Sequence, residues 1–242
     1  MGTERLDRIL SHLGQGSRRE VKALVRQGRV TVDGQPAMDP GQAVDPGVQQ
    51  IAVDGVVLHY QRHFHVLLHK PAGVITATED PRQKTVMDVL PFDLRRPDLV
   101  PVGRLDRDTE GLLILTTDGE LCHRLLSPRR HVPKRYFVRL DLPLAADDAA
   151  AFAEGILLED GYRCLPAELE AGADPHEAVV TLHEGKYHQV KRMFQARGKR
   201  VLYLKRLSMG PLELGDLPLG EARPLTPEEA AALYRTAGLA QP

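Results

Sequence analysis

The sequence predicts an α+β protein with a small N-terminal α/β module and a larger domain that combines helices with many short strands. Helical spacing followed by short alternating strands marks residues 1–58. After residues 59–62, which we interpret as a linker, short apolar strands alternate with helical segments over residues 63–242. A chain of 242 residues with 42% hydrophobic content is long and apolar enough to build a real core.

Two short helices and a hairpin are predicted in the N-terminal module. Apolar residues at helical spacing indicate the first helix, namely Leu6, Ile9, Leu10 and Leu13. Ser17 and Glu20 match a capping box that opens a second helix running to Gln27. Asp33 and Gly34 interrupt an alternating segment and predict a hairpin turn.

The larger domain begins with an alternating segment in which histidines share one face of a strand. His63, His65 and His69 precede a turn that contains Pro and Gly. Together with His59 they could bind a metal, but no cysteine or acid joins them and their spacing matches no named zinc pattern. We therefore expect ordinary strand residues and no metal site.

Strands and helices then alternate along the rest of the larger domain. Thr117 and Glu120 match a second capping box, which predicts a short helix that ends at Pro128. Thr226 and Pro227 open a last helix. The remaining elements are strands at 112–116, 136–142, 178–185 and within 201–214, and helices at 147–155 and 189–197.

The net charge of −1 conceals a strong segregation of charge along the chain. Residues 124–140 and 186–206 contain basic residues and no acid, whereas residues 141–184 are acidic with Arg163 as their one base. Further arginines concentrate near the N-terminus. Segregated basic segments favour a polyanion as the partner, most often a nucleic acid.

Targeting signals and reactive cysteine patterns are absent from the sequence. No window of 18 consecutive apolar residues predicts a membrane span. The N-terminal segment lacks the apolar region of a signal peptide, and Leu6 stands where myristoylation requires Ser or Thr. Cys122 and Cys164 form no CxxC motif and are expected to be reduced thiols. These features predict a cytoplasmic protein.

Three acids lie close together between glycines in the segment VGRLDRDTEGLLILTTDG. They are Asp106, Asp108 and Glu110, and an apolar run follows them. A calcium loop is excluded, because Thr117 stands where a bidentate Glu is required and the flanks are strand-like. An aspartyl-phosphatase motif fits weakly and stays an alternative, since Thr109 comes one residue early.

A single nucleophilic aspartate is the third interpretation of this segment. A carboxylate such as that of Asp106 attacks carbon directly. It must stay ionised, so a cation is expected close to it, with Lys191 and Arg192 as candidates. Local chemistry alone favours a plainer role, in which the aspartate caps a backbone N–H in a turn.

Over most of its length the chain resembles the pseudouridine synthases. GRLDRDTEGLLILTTDGEL at 103–121 is similar to their catalytic motif, HKPAGV at 69–74 to their first motif and EGKYHQVKRMF at 184–194 to their last. SPRRHVPKRYFV at 127–138 resembles the segment with their active-site tyrosine, and residues 5–34 resemble an S4-type RNA-binding module. HQVKRMF and SPRRH are most similar to the branch that acts on small-subunit (16S) ribosomal RNA. One departure is His69, where the first motif usually has Asn.

The resemblance implies a fold and a set of site residues. The larger domain should contain a mixed, mainly antiparallel sheet flanked by helices. Asp106 would be the nucleophile, Tyr136 would pack against the uracil, and Lys191 would stand where related branches pair an Arg with the aspartate. Arg104 would fill the space of the flipped base. Further RNA-binding residues are expected to be Ser17, Arg18, Arg19, Lys22, Arg129, Arg130, Lys134, Lys186, His188, Gln189 and Arg192.

The implied activity is the isomerisation of one uridine of 16S ribosomal RNA to pseudouridine on a flipped-out base. No redox change occurs and no group enters or leaves, so neither cofactor nor metal is expected. The partner would be 16S RNA or a small-subunit assembly intermediate, and the protein would act as a monomer. The alternatives are a magnesium-dependent phosphatase and a non-catalytic RNA-binding or assembly factor. The intact set of Asp106, Tyr136 and Lys191 argues against the latter.

Overall fold

The computed structural model of the protein describes residues 3–58, 60 and 63–240. The chain divides into two compact units, with the division between residues 62 and 63. Of the predicted linker at 59–62, only residue 60 lies within the described residues, and His59 lies outside them.

The N-terminal unit combines two helices with short strands. Its helices are α1 (Leu6–His12) and α2 (Arg18–Arg26), and its strands are β1 (Glu4–Arg5), β2 (Val30–Val32), β3 (Gln35–Pro36), β4 (Ala43–Val44), β5 (Ile51–Val53) and β6 (Val56–Leu58). Strands β3, β2, β5 and β6 form an antiparallel sheet in that order, and β1 pairs with β4. Buried aliphatic side chains of both helices and of the strands form one core.

Local sequence signals set the ends of these elements as predicted. The capping box is confirmed: Ser17 Oγ accepts from Glu20 N, and Ser17 N donates to Glu20 Oε2 at 2.7 Å. The hairpin between β2 and β3 is also confirmed. Asp33 and Gly34 have φ values of 52° and 78°, which a two-residue turn between twisted antiparallel strands requires.

The second unit is built on one large sheet. Its strands are β7 (His65–Lys70), β8 (Val100–Pro101), β9 (Glu110–Thr116), β10 (Lys134–Leu140), β11 (Glu168–Ala171), β12 (Glu177–Leu182), β13 (Val201–Met209), β14 (Leu212–Glu213) and β15 (Ala222–Pro224). Its helices are α3 (Val86–Val89), α4 (Gly119–Leu126), α5 (Asp148–Glu154), α6 (Gln189–Ala196) and α7 (Pro227–Ala237), with 3-10 turns at Phe92–Leu94 and Pro128–Arg130.

The strand order of this sheet is β11-β12-β10-β13-β9-β7-β15, with β8 added to β9 and β14 to β13. Only the β9–β13 pair is parallel among the described strands; the other pairs are antiparallel. The expected mixed, mainly antiparallel sheet is therefore confirmed.

Both faces of the large sheet are covered. Leu113 and Leu115 of β9 point into one core, which contains Phe152 of α5 and Phe194 of α6. Leu112 and Ile114 point into a second core, to which α4 and α7 contribute. Alternate residues of a strand face opposite sides, so an uninterrupted apolar run is what a strand buried on both faces requires.

Two predictions for this unit need correction. The cap of α4 is Asp118 rather than Thr117: the Asp118 carboxylate accepts from Glu120 N and Leu121 N, and such charge-assisted bonds are stronger than a hydroxyl cap. The hydroxyl of Thr117 instead accepts from Phe64 N. The strand predicted at 136–142 runs from Lys134 to Leu140, because Lys134 is buried and pairs with both neighbouring strands.

Candidate active site

The loop between β8 and β9 carries Asp106, and a buried lysine fixes its backbone. Lys70 at the end of β7 is fully buried. Its Nζ donates to the carbonyl oxygens of Asp106 (3.0 Å), Thr109 (2.8 Å) and Pro71 (3.0 Å). Burial lowers the pKa of Lys70 to about 8, although Asp106 and the neighbouring acids oppose the shift. Lys70 thus fixes the backbone of the loop through hydrogen bonds to carbonyl oxygens.

A second buried side chain holds the residue before the aspartate. Thr76 Oγ1 donates to the carbonyl oxygen of Leu105 at 2.8 Å and accepts from Leu105 N at 3.1 Å. Thr76 and Leu105 are both buried. The backbone on either side of the Asp106 carboxylate is therefore pinned, which gives the side chain one defined direction.

A glycine at the start of β9 lets this strand pass close to its neighbour β13. Gly111 has a φ of 111°, and a Cβ atom there would lie 2.2 Å from the carbonyl oxygen of Arg206. Gly111 and Arg206 are partners in the parallel pair of β9 and β13. Only a residue without a side chain permits this approach. The close packing of β9 against β13 therefore explains why the acid-rich segment has a glycine at position 111.

The carboxylate of Asp106 lies between two groups of the last motif. Lys191 Nζ is 3.0 Å from its Oδ2, and His188 Nε2 is 3.3 Å from its Oδ1. Its side chain is 26% exposed. Its described side-chain contacts are with Lys191 and His188 and include no backbone N–H, so they give no support to the turn-capping role.

The two other acids of the segment, Asp108 and Glu110, have different partners. Asp108 Oδ1 is 2.6 Å from Lys191 Nζ, at the exposed rim. Burial opposes ionisation of Asp108, but the hydrogen bond and the charge of Lys191, together with smaller contributions, outweigh it and lower the pKa of Asp108. Glu110 accepts from the Tyr203 hydroxyl at 2.6 Å. The three acids are therefore one pocket carboxylate, one rim carboxylate and one strand residue with a structural partner.

A buried network positions helix α6, which carries Lys191. The Glu184 carboxylate accepts from the Tyr162 hydroxyl (2.6 Å), Leu165 N (2.8 Å) and Gln189 Nε2 (2.7 Å). Gln189 Oε1 accepts from Lys186 N at 2.9 Å. Gln189 was expected to contact RNA, but both ends of its buried amide bind protein groups. Its place favours a positioning role.

A cavity of about 700 Å³ opens in front of Asp106. This volume lies within the range of small-ligand pockets. The predicted site residues that line it are Arg104, Asp106, Lys134, Tyr136, Lys186, His188, Gln189 and Lys191. Tyr136 is 9% exposed and belongs to the core that supports the cavity. The proposed nucleophile, its cation and the tyrosine thus share one pocket.

Other predicted RNA-binding residues lie outside this cavity. Arg129 and Arg130 are exposed on the 3-10 turn after α4. Arg192 points away to an ion pair with Asp160 at 2.6 Å. In the N-terminal unit, Ser17 N and Oγ both bind Glu20 Oε2, which leaves the charged residues of α2 as the candidates for phosphate. These are Arg18, Arg19 and Lys22, all exposed.

Many charged residues of the basic segments form ion pairs with residues of the acidic segment. Arg197 contacts Asp147 at 2.7 Å and Asp148 at 2.8 Å, and Lys199 contacts Asp148 at 2.8 Å. Arg139 contacts Glu177 at 2.9 Å. Basic segments and the acidic segment between them therefore neutralise each other in part, and charge segregation alone was a weaker sign of a polyanion than predicted.

Three pocket or loop residues were not predicted as functional. Lys70 and Thr76 hold the Asp106 loop, and Arg206 lines the cavity although it is 2% exposed. A signal existed for Arg206, because it follows Leu204 by two residues in a predicted strand, and Leu204 faces the core. A charged residue at a core-facing position of a strand indicates a site rather than a solvated surface.

Within the described ranges 3–58, 60 and 63–240, no helix is long and apolar enough to cross a membrane. Over the same residues, no three side chains of His, Cys, Asp or Glu come together in a way that could hold a metal ion.

Comparison with known proteins gives matches along nearly the whole chain. The family model for RNA pseudouridylate synthase matches residues 64–196, and the S4 domain model matches residues 4–49. An uncharacterized RNA pseudouridine synthase of Bacillus subtilis is 48% identical over 93% of this chain and 96% of its own length. The ribosomal small subunit pseudouridine synthase A of Yersinia pestis is 41% identical over 95% of this chain and 97% of its own.

A solved structure is similar over the same extent. The crystal structure of a pseudouridylate synthase superposes with a TM-score of 0.66 and 35% sequence identity, and it covers 95% of this chain and 99% of its own. The shared architecture therefore includes both units, and the pocket around Asp106 lies within the region matched by the family model.

Proposed function

This chain belongs to the RNA pseudouridylate synthase family and carries an S4 domain, and we propose that it isomerises one uridine of 16S ribosomal RNA with Asp106 as the nucleophile. The family makes it an enzyme, an isomerase that acts on uridine in RNA. The choice of 16S RNA is supported by the name of the Yersinia pestis relative and by its 41% identity.

One observation carries the role of Asp106. Its carboxylate lies at the cavity with Lys191 at 3.0 Å and His188 at 3.3 Å. A carboxylate that attacks carbon, or that removes a proton from the sugar, must be ionised. Lys191 stabilises that form, because an opposite charge at this distance favours the ionised carboxylate. Burial lowers the pKa of Lys191, but the hydrogen bonds and charges of Asp108 and Asp106 together outweigh it and raise the pKa above its usual value.

The reaction breaks the bond between N1 and C1′ of the uridine, turns the uracil and joins C5 to C1′. The base cannot turn while it is stacked, so it must leave the helix at a cost of roughly a few kcal/mol. An aromatic surface returns about 1–3 kcal/mol per base, which suits Tyr136 inside the cavity. Arg104 is exposed at the rim of the same cavity, where a guanidinium fills the gap left by a flipped base.

The N-terminal unit supplies the RNA anchor in this proposal. Arg18, Arg19 and Lys22 lie exposed along α2, and basic residues on one helix bind phosphates without reading sequence. The substrate is the 16S RNA or an assembling small subunit in the cytoplasm. One chain contains Asp106, Tyr136 and Lys191, so a monomer suffices for the chemistry.

Tritium release tests this function. A 16S transcript labelled with tritium at C5 of uridine loses the label when C5 joins C1′, and a 23S transcript serves as the control RNA. The proposal expects stoichiometric release of one tritium per 16S molecule, and unchanged release in the presence of a chelator. No release from 16S RNA or from small-subunit particles would contradict the proposed substrate.

A chelator distinguishes a magnesium-dependent phosphatase, which it would inhibit, from the proposed isomerase, which it would not. Asp106 and Asp108 both bind Lys191, so an ammonium already occupies the place that a magnesium ion would take between two carboxylates. A non-catalytic RNA-binding factor would bind the transcript and release no tritium under any condition.

A further inference from the structure

Two buried cations, Lys134 and Arg206, line the active-site cavity beside Tyr136. Lys134 is 9% exposed and Arg206 is 2% exposed. Neither is bonded to the Asp106 carboxylate, which pairs with Lys191 and His188. Burying a charge is costly unless it is paired, so their place in the cavity indicates a use for their charge.

The sheet places both side chains next to the tyrosine. Tyr136 of β10 lies opposite Arg206 of β13, because the register shifts between Arg135 and Tyr136 and leaves Leu207 as an extra residue. Such a bulge re-aims a side chain. Lys134 precedes Tyr136 by two residues and therefore faces the same side of the sheet. The two cations and the aromatic ring form one surface.

Their donors are only partly used by the protein. Lys134 Nζ donates to the carbonyl oxygen of Val132 at 2.8 Å, and Arg206 Nε donates to that of Leu112 at 2.7 Å. Arg206 Nη2 is buried without a hydrogen-bond partner among the described residues. An ammonium has three donors and a guanidinium has five. Both side chains therefore carry donors without a described protein acceptor; Arg206 Nη2 is itself shielded from solvent, but both residues line the cavity.

The acid that faces Lys134 is already occupied. Glu184 acts on Lys134 electrostatically, but its oxygens bind Tyr162, Leu165 and Gln189. Burial, and secondarily the charge of Arg206, lowers the pKa of Lys134 to about 8, while Glu184 opposes the shift. The two like charges repel each other, and an electron-rich ligand between them would relieve that repulsion.

The reaction creates negative charge on the uracil in each role open to Asp106. When Asp106 attacks C1′ or removes the C2′ proton, the electron pair of the N1–C1′ bond leaves with the base and spreads over O2 and O4. When Asp106 adds to C6, the pair of the C5–C6 double bond moves onto O4. C5 then bonds to C1′ while the bond from Asp106 to C1′ or C6 breaks or, in the proton-removal route, while Asp106 returns the proton to C2′. The C5 proton passes to solvent, and N1 gains a proton.

We propose that Lys134 and Arg206 bind the carbonyl oxygens of the flipped uracil and stabilise the negative charge that the ring acquires. This inference rests on the proposed function. It adds a charge-stabilising role to the nucleophile, its cation and the tyrosine. Preorganised donors aimed at developing charge contribute strongly to catalysis in a site that excludes water.

A phosphate is the less suitable ligand for these two groups. The exposed cations at the cavity rim are Arg104, Arg107 and Lys186, and a charged phosphate that stays in solvent meets them first. Lys134 and Arg206 lie deeper, beside the ring of Tyr136, where the base and not the backbone of the RNA would be placed.

The first test compares Lys134→Met with Lys199→Met in the full-length protein. Lys199 is a second buried lysine, and it binds Asp148 outside the cavity. On 16S transcript the Lys134 variant should lose roughly 100-fold in single-turnover rate at saturating RNA, while its Kd for RNA stays within about threefold. The Lys199 variant should keep the wild-type rate, even where its thermal midpoint falls.

The second test probes the contact itself. The target uridine, once mapped, is replaced by 2-thiouridine or 4-thiouridine, and the product is measured by nucleoside chromatography. Sulfur accepts hydrogen bonds poorly, so the wild type should slow with at least one of the two. In Lys134→Met the slowing caused by the thio substitution should shrink to less than about twofold, because this variant has already lost the hydrogen bond from Lys134 to the uracil oxygen. If Lys134→Met does not fold, Arg206→Lys, which keeps the charge, takes its place. The same quantities are then measured: the single-turnover rate, the Kd for RNA and the slowing by the thio-substituted uridines.

The outcomes separate this inference from the proposed function. A wild type that releases no tritium refutes the function. A wild type that is active while Lys134→Met stays within threefold of its rate refutes the inference alone. An undiminished thio penalty in a slow variant, or no thio penalty in the wild type, also refutes it, because the cations would then not contact the base.

Discussion

The ammonium group of Lys191 lies 3.0 Å from Oδ2 of Asp106. The same group lies 2.6 Å from Oδ1 of Asp108, so one cation serves two carboxylates. Asp108 is 73% exposed and lines the rim of the pocket, whereas the Asp106 side chain is 26% exposed. Lys191 lies closer to Asp108, but solvent screens an exposed pair more strongly, so we expect its charge to matter most for the less exposed Asp106.

Lys191→Met should lower the single-turnover rate by roughly 100-fold, because the partly buried Asp106 carboxylate loses the cation beside it. Lys191→Arg should stay within about tenfold of wild type, since it keeps the charge. Asp108→Asn is the matched control and should keep most activity. Rates at saturating RNA measure all three. Equal losses in Lys191→Met and Asp108→Asn would contradict the assignment.

Gly111→Ala should destabilise the second unit by about 2–4 kcal/mol, because a Cβ would meet the Arg206 backbone and φ is positive. The contact distance would be 2.2 Å. Gly119→Ala is the control, since a Cβ there has no neighbour within 4 Å. Thermal midpoints of both variants check the prediction. A Gly111 variant as stable as the Gly119 variant would show that β9 and β13 do not pack this closely.

Arg18→Ala combined with Arg19→Ala should weaken RNA binding and reduce its salt dependence. The slope of log K against log salt should become shallower by roughly 0.7–0.9 per lost phosphate contact. Arg29→Ala is the control in the same unit, because Arg29 is engaged with Asp54 at 2.6 Å. An unchanged slope in the double variant would remove α2 from the RNA-binding surface.

The stability of the second unit should depend on the protonation of His65. Burial, and secondarily the charge of His63, lowers the pKa of His65 to about 4, while Asp118 opposes the shift. His65 Nδ1 lies 2.8 Å from Thr116 Oγ1. Between pH 6.5 and pH 4 the unfolded chain binds this proton more readily, so the stability contributed by neutral His65 is lost as the pH falls.

His65→Gln provides the reference for this pH effect. The free energy of unfolding of the wild type, relative to the variant, should fall by about 2 kcal/mol from pH 7 to pH 5. Denaturant unfolding at the two pH values measures it. A difference between the proteins that stays constant with pH would mean that His65 is protonated without cost in the folded state.

Local signals in the sequence predicted much of the fold. The capping boxes at Ser17 and Thr226 begin helices as expected, and Gly198 follows α6 with a φ of 72°. Helix α5 also falls within the predicted range. These features depend on residues within one or two turns of each other. The cap at Asp118 was missed because Thr117 is drawn to Phe64, a partner far away in sequence.

The candidate site was predicted in part. Resemblance to the family selected Asp106, Tyr136 and Lys191, and all three line one cavity. The charge pattern placed Lys134 and Arg206 in basic segments that were expected to meet a polyanion at the surface, yet both residues are buried. Their placement follows from the pairing of β10 with β13 and from the bulge at Leu207, which no local pattern specifies.

The central claim is that the Asp106 carboxylate performs the chemistry, and Asp106→Asn tests it most directly. Asn keeps the size of the side chain and removes its charge, so RNA binding should persist. Single-turnover tritium release from C5-labelled 16S transcript, at RNA concentrations well above the measured Kd, gives the rate. We predict no detectable release above the no-enzyme background, with a Kd within about threefold of wild type. Release within tenfold of the wild-type rate would contradict the account.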